Sequence, residues 1–222
     1  MIDPKIEAAL KAALDAFSRY NDSDVTQLTT RFESVFASEE DFLSKIDLLD
    51  EVFDDNPIVE SLREVFFDLL MINFFSADVK KLEDDYLEST EWEEIEEETL
   101  DRGTELLNLL LYLNECEDED IEPELEDYLK EFLLVDEDEF QDEYRIYEPV
   151  IENQILMESQ VSEIGRVARS LPDDLEIKEI FYPLMCFFQG AATGEYEKEK
   201  IAANAIEQDF DMAVLEILIS FN

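Results

Sequence analysis

Asp84, Asp85 and Glu88 stand in a DDxxE spacing, which gathers carboxylates on one helix face as oxygen ligands for a divalent cation such as Mg²⁺. The stretches 93–101 and 136–143 also repeat acids at i, i+3 and i+4. Aspartate and glutamate, however, fill 61 of 222 positions. At that density a fixed three-carboxylate spacing arises about four times by chance. The acids of 93–101 and 136–143 also crowd together instead of pairing across separate helices. A solvated acidic face is therefore the expectation for all three, and no metal or other cofactor is assigned. An EF-hand is excluded because no acidic run carries the glycine its loop requires.

Histidine is absent. That removes Ser-His-Asp and Cys-His nucleophile systems, ExxH di-iron sites and His-ligated zinc. Serine, threonine and tyrosine are scattered with no base to activate them. Cys116, in an acidic stretch taken as a linker, and Cys186, in an apolar helix, form neither a disulfide framework nor a metal-ligand spacing.

Two further features are candidates for interaction. Trp92, the lone tryptophan, is ringed by Glu93, Glu94, Glu96, Glu97 and Glu98. It reads either as an exposed aromatic anchor or as part of a buried stripe with Ile95 and Thr99, and the stripe is favoured. Arg63 and Lys178 stand 115 residues apart, each followed by a glutamate, Glu64 and Glu179. They either pair with acids on a neighbouring helix, the favoured reading, or face a shared seam and bind an anion.

The elements that position these residues are helical. Hydrophobic residues make up 46% of the chain and 16 positions are Phe, against 4 Gly and 6 Pro. That is too much apolar side chain for a disordered polymer and too few breakers for a sandwich or barrel. Ile6, Leu10, Leu14 and Phe17 mark a first helix, and Leu28, Phe32, Val35 and Phe36 a second. A third is expected to start after Ser38 and to carry Phe42, Ile46, Leu49 and Phe53. Asn56 and Pro57 should cap and open a fourth running to about Ala77. A short element follows with Val79, Leu82, Tyr86 and Leu87. Thr90 then caps a helix continuous from Trp92 to Leu110.

Shifting the sequence by 115 residues lays Ile6, Glu7, Leu10, Leu14 and Phe17 on Ile121, Glu122, Leu125, Leu129 and Phe132. The same shift pairs Pro57 with Pro172 and Phe66 with Phe181. About a dozen identities result, roughly twice the chance level. After a deletion of about four residues, Ile95-Glu96 meets Ile206-Glu207. Pro149 and Pro183 depart from the pattern and should kink or end their helices. The expected fold is all-α, two tandem repeats of five to six helices, 1–115 and 116–222, packed about a pseudo-two-fold axis or as a solenoid. The seam between the halves is the expected binding site.

The formal charge of −45 excludes phosphate capture from nucleic acid and docking on an anionic membrane. No apolar run is long enough to span a bilayer and no secretory signal is seen, so a cytoplasmic location is expected. Self-repulsion should also make stability rise with salt. The reading reached is a non-enzymatic acidic module that binds a basic protein, as an inhibitor, immunity protein or nucleic-acid mimic does. The alternatives are a Mg- or Mn-dependent all-α carboxylate enzyme and a scaffold or assembly protein. Sequence does not set the oligomeric state.

Overall fold

Small side chains decide how the first helix packs. In a computed structural model that describes residues 2–77, 86, 89–133, 140–190 and 194–222, α1 (Pro4–Asn21) buries Ala9, Ala13 and Ala16 beside Ile6, Leu10, Leu14 and Phe17. The alanines let a second backbone approach closely, and α12 (Gln208–Phe221) does so along the whole of α1. The pair is antiparallel. Asn21 at the end of α1 donates to Asp209 at the start of α12. The Lys5 ammonium, at the other end, lies over the Phe221 ring.

Twelve α-helices and no strand are found among the described residues. After α1 come α2 (Thr29–Phe36), α3 (Phe42–Asp55), α4 (Arg63–Ala77), α5 (Thr90–Thr99) and α6 (Leu106–Glu119). The rest are α7 (Leu125–Leu133), α8 (Phe140–Glu152), α9 (Val161–Ser170), α10 (Lys178–Phe188), α11 (Glu195–Asn204) and α12. The sequence of α4 is apolar all round, which is the pattern of a helix enclosed on every side. It buries every residue from Val65 to Phe74, Asp68 and Asn73 included. Likewise α10 is buried from Ile180 to Phe187. These two and α12 form the centre. There α6 packs on α4, while α9 and α12 pack on α10. One continuous apolar core joins the two halves of the chain. Tyr128 of α7 and Tyr147 of α8 belong to it, and their hydroxyls bond to each other at 3.0 Å. Tyr147 donates onward to Glu105, just before α6.

Several helix ends differ from the sequence expectation, each for a local reason. Asp41, not Ser38, caps α3, because its carboxylate accepts the Ser44 N–H at 2.9 Å. Ser89, not Thr90, caps α5. Pro57 does open a helical segment, but 57–62 is a 3₁₀ helix. Asn56 gives its side chain back to the Val52 carbonyl instead of capping forward. The continuous helix expected from Trp92 to Leu110 is broken between Thr99 and Leu106. Gly103 sits in that break at φ +86°, a conformation side-chain-bearing residues rarely adopt. Pro183 lies inside α10, which continues to Phe188, and Pro149 stands three residues from the end of α8. Cys116, expected in a linker, is instead buried in α6. The division at 115/116 falls inside that helix, which ends at Asp120 in the left-handed conformation. Val79, Leu82, Asp84, Asp85, Leu87 and Glu88 lie outside the described residues, as do positions 136–139.

Candidate functional site

Two corners of the fold are built alike. In each, the first turn of a central helix meets the turn that leads into the helix packed beside it: α4 with α6, and α10 with α12. Arg63 and Lys178 are each the first residue of their helix, which brings Glu64 and Glu179 to the same place one residue on.

The first corner is filled. Arg63 donates to Asp50 at 2.8 Å, Asp54 at 2.7 Å and Glu60 at 2.8 Å, and its guanidinium lies 5.3 Å from the Phe53 ring centre. Hydrogen bonding to Glu60, and then to Asp54 and Asp50, outweighs partial burial and holds its pKa above the ordinary arginine value. Arg102, on the turn before α6, forks between two acids. Its Nη atoms bond Asp50 at 3.0 and 3.1 Å and its Nε bonds Glu64 at 3.0 Å. Desolvation works against that charge, yet the bonds to Asp50 and Glu64 prevail and raise its pKa. Glu64 also accepts the Gly103 N–H at 2.7 Å.

Asp68 lies behind these groups with no exposed surface. It accepts the Thr104 N–H at 3.1 Å and the Thr104 hydroxyl at 2.7 Å. Burial raises its pKa well above the carboxylate range despite those bonds, and Glu64 and Glu105 add to the rise. A Cβ on Gly103 would come within 2.5 Å of Asp68 Oδ1, so close approach and positive φ both require glycine there.

The second corner is open. A cleft of about 490 Å³ lies between the first turn of α10, the approach to α12 and Ser61 of the first half. Its apolar part is Ala168, Leu175, Ile206 and Phe210. Glu179, Glu207 and Asp211 supply carboxylates, and Lys178, which also lines the cleft, donates to the Leu171 carbonyl at 2.9 Å and to Asp173 on the same rim. Asp211 is 3% exposed and accepts the Ile206 N–H at 2.6 Å and the Glu207 N–H at 3.1 Å, both on Oδ2. Burial pushes its pKa up to about 7 against those bonds, with Glu207 adding to the rise and Arg169 opposing it. The Glu179 pKa is also raised, first by desolvation and then by the charges of Glu207 and Glu64. That coupling places the two matched glutamates within electrostatic reach of each other.

The two corners carry different side chains at positions 115 residues apart. Asp50 falls on Gly165, Phe53 on Ala168 and Glu60 on Leu175. Gly165 packs against the Asn204 backbone and the Arg169 guanidinium and does not line the cleft, whereas Ala168 does. Arg102 has no equivalent on the turn before α12, where Glu207 stands near Glu179 instead.

Of the residues singled out from sequence, Lys178 and Glu179 line the cleft, Glu64 is coupled to it, and Arg63 belongs to the neighbouring ion-pair network. Trp92 stands apart from that group. It stacks 6.4 Å from Phe74 and also meets Phe75 and Tyr86, while Ile95 on its helix is buried. Arg102, Asp68 and Asp211 escaped the sequence reading. The last two look like any of 61 acids, but Arg102 precedes one of only four glycines. No group of three or more Asp, Glu or Cys able to hold a metal occurs among the described residues, and none of their helices is long and apolar enough to cross a membrane. Comparison with protein-family models, with characterised proteins and with solved structures finds no match.

Proposed function

We propose that this chain is a non-catalytic interaction module whose ligand is a basic protein, of the kind an inhibitor, immunity protein or nucleic-acid mimic binds. One observation carries the reading: among the described residues at least eight of the 16 basic side chains pair with acids of this chain. Arg63 and Arg102 are forked between carboxylates. Lys5, Arg31, Lys130, Arg166, Lys178 and Lys198 each pair with an acid of this chain. The exterior of a molecule at −45 is left anionic. Such a field speeds encounter with a positively charged surface and repels a negative one.

The reading includes a duplicated unit, 1–115 and 116–222. Six helices in each half support it, as do Arg63 and Lys178 at matching helix starts and the burial of Leu62, Val65, Phe66 and Phe67 with Ile177, Ile180, Phe181 and Tyr182. The match weakens elsewhere. Ile6 is buried whereas Ile121 is exposed, and Ile206-Glu207 lie on a turn whereas Ile95-Glu96 lie inside α5. A cytoplasmic setting is part of the same proposal, and two buried cysteines outside any disulfide suit a reducing compartment.

The test is affinity capture from the native cell, followed by titration calorimetry with the purified partner at about 50 mM and about 300 mM NaCl. A basic partner whose Kd rises roughly tenfold or more with salt supports the proposal. A partner of acidic pI, or one with equal affinity at both salts, refutes it.

A further inference from the structure

We propose that the cleft between α10 and the turn before α12 is the seat for an arginine side chain of the partner, which takes there the place that Arg63 and Arg102 occupy in the first half. The proposal rests on the basic-partner reading above and gives it a location and a chemistry.

Three observations converge on it. The filled corner shows what this architecture holds between its carboxylates: guanidinium groups, forked by Asp50 and Glu64 and laid over the rings of Phe53 and Phe67. At the open corner Ala168 lines the cleft where the count from Phe53 arrives, and the lysine that lines it, Lys178, is committed to Leu171 and Asp173. The acids there also make no ion pair. Among the described residues no lysine or arginine pairs with Glu179, Glu207 or Asp211. Lys178 is bound to Leu171 and Asp173, and Arg169 gives its guanidinium to the carbonyls of Asn204 and Ala205. Asp211 adds a feature that a surface acidic patch lacks. Its carboxylate is almost wholly enclosed and both backbone donors fall on Oδ2, so Oδ1 receives no hydrogen bond from the described residues.

A guanidinium suits this geometry better than a hydrated ammonium. It is planar, weakly hydrated and able to bond two acids at once. Its methylene stem would lie on Leu175, Ile206 and Phe210. A bound cation also lowers the mutual repulsion of Glu179, Glu207 and Glu64, so binding would relieve a cost the free protein carries.

The probe is the blocked tripeptide acetyl-Leu-Arg-Leu-amide, compared with its citrulline analogue, which keeps the shape and loses the charge. Amide NMR shifts are followed at low salt. The expected result is saturable movement confined to the amides of 175–179 and 206–211, absent with citrulline. Combining Glu179→Gln, Glu207→Gln and Asp211→Asn should weaken it roughly tenfold or more. The exposed set Glu93→Gln, Glu94→Gln and Glu97→Gln on α5 should leave it unchanged. Shifts spread evenly over the acidic surface, or an equal loss from both sets of variants, would overturn the cleft while leaving general attraction to basic proteins intact. Movement of the same amides by Mg²⁺ or Ca²⁺ but not by the peptide would overturn it in favour of a metal occupant. Failure of polylysine to bind at all would remove the underlying reading as well.

Discussion

Replacing Asp211 by asparagine should make the protein more stable, and more so the more alkaline the buffer. The carboxylate is 3% exposed and its pKa stands at about 7, against 3.8 for the unperturbed group. About three pKa units at roughly 1.4 kcal/mol each make ionised Asp211 cost up to about 4 kcal/mol. The first turn of α12 and two N–H donors favour the anion there, so the net rise shows that desolvation exceeds both. For a carboxylate with a raised folded pKa the cost is absent below pH 3.8, where both states are protonated. It grows as pH climbs toward about 7 and is complete above it. Asparagine keeps a carbonyl oxygen for the Ile206 and Glu207 N–H groups but carries no charge. Between pH 8 and pH 5 the advantage of Asp211→Asn should therefore narrow by up to about 3 kcal/mol. For a chain of this size that is about 6–12 °C in Tm. Urea unfolding of both proteins at the two pH values measures it. Asp68 and Glu179 drive a slope of the same sign, so the quantity that matters is the difference between the proteins. Parallel curves, or a variant less stable than the parent at pH 8, would refute the reasoning.

Arg102→Met keeps the stem over Phe67 but strips Asp50 and Glu64 of their cation, and should cost about 3 kcal/mol in urea unfolding. Gly103→Ala should destabilise by about 1–3 kcal/mol, because the methyl group meets Asp68 at a positive φ, and a neutral calorimetric result would contradict the placement of that turn. Ala13→Leu should lower Tm by forcing α1 away from α12, at a cost of about 1–3 kcal/mol or more. Raising NaCl from about 10 mM to about 150 mM should raise Tm, and an unchanged midpoint would show that repulsion at −45 does not limit the fold.

What the sequence disclosed was periodicity, and what it withheld was partnership. The stripe of Ile6, Leu10, Leu14 and Phe17 specifies a buried helix face from local spacing alone, and all four residues are buried. Nothing in α1 says that α12 will pack along it, because that depends on a segment 188 residues away in the chain. The break at Gly103 was overridden by an apolar pattern that keeps helical phase from Ile95 through Leu106 to Leu110. The cleft was legible in part. Lys178 and Glu179 were picked out by their match to Arg63 and Glu64. The cavity beside them is lined by Ala168, Leu175, Ile206 and Phe210, residues that advertise nothing until the helices that carry them are brought together. Asp211 shows the same limit from the other side, since burial distinguishes it from its neighbours and burial is a tertiary property.

The union of α1 with α12 has a consequence for biosynthesis. Asn21 and Asp209, which meet where the pair closes, stand 188 residues apart, so a growing polypeptide leaves the side of α1 that α12 covers unsatisfied until α12 has been made. Chain connectivity thus delays closure of this pair, and a product truncated before α12 would bare the side of α1 that α12 covers and be prone to clump with its siblings.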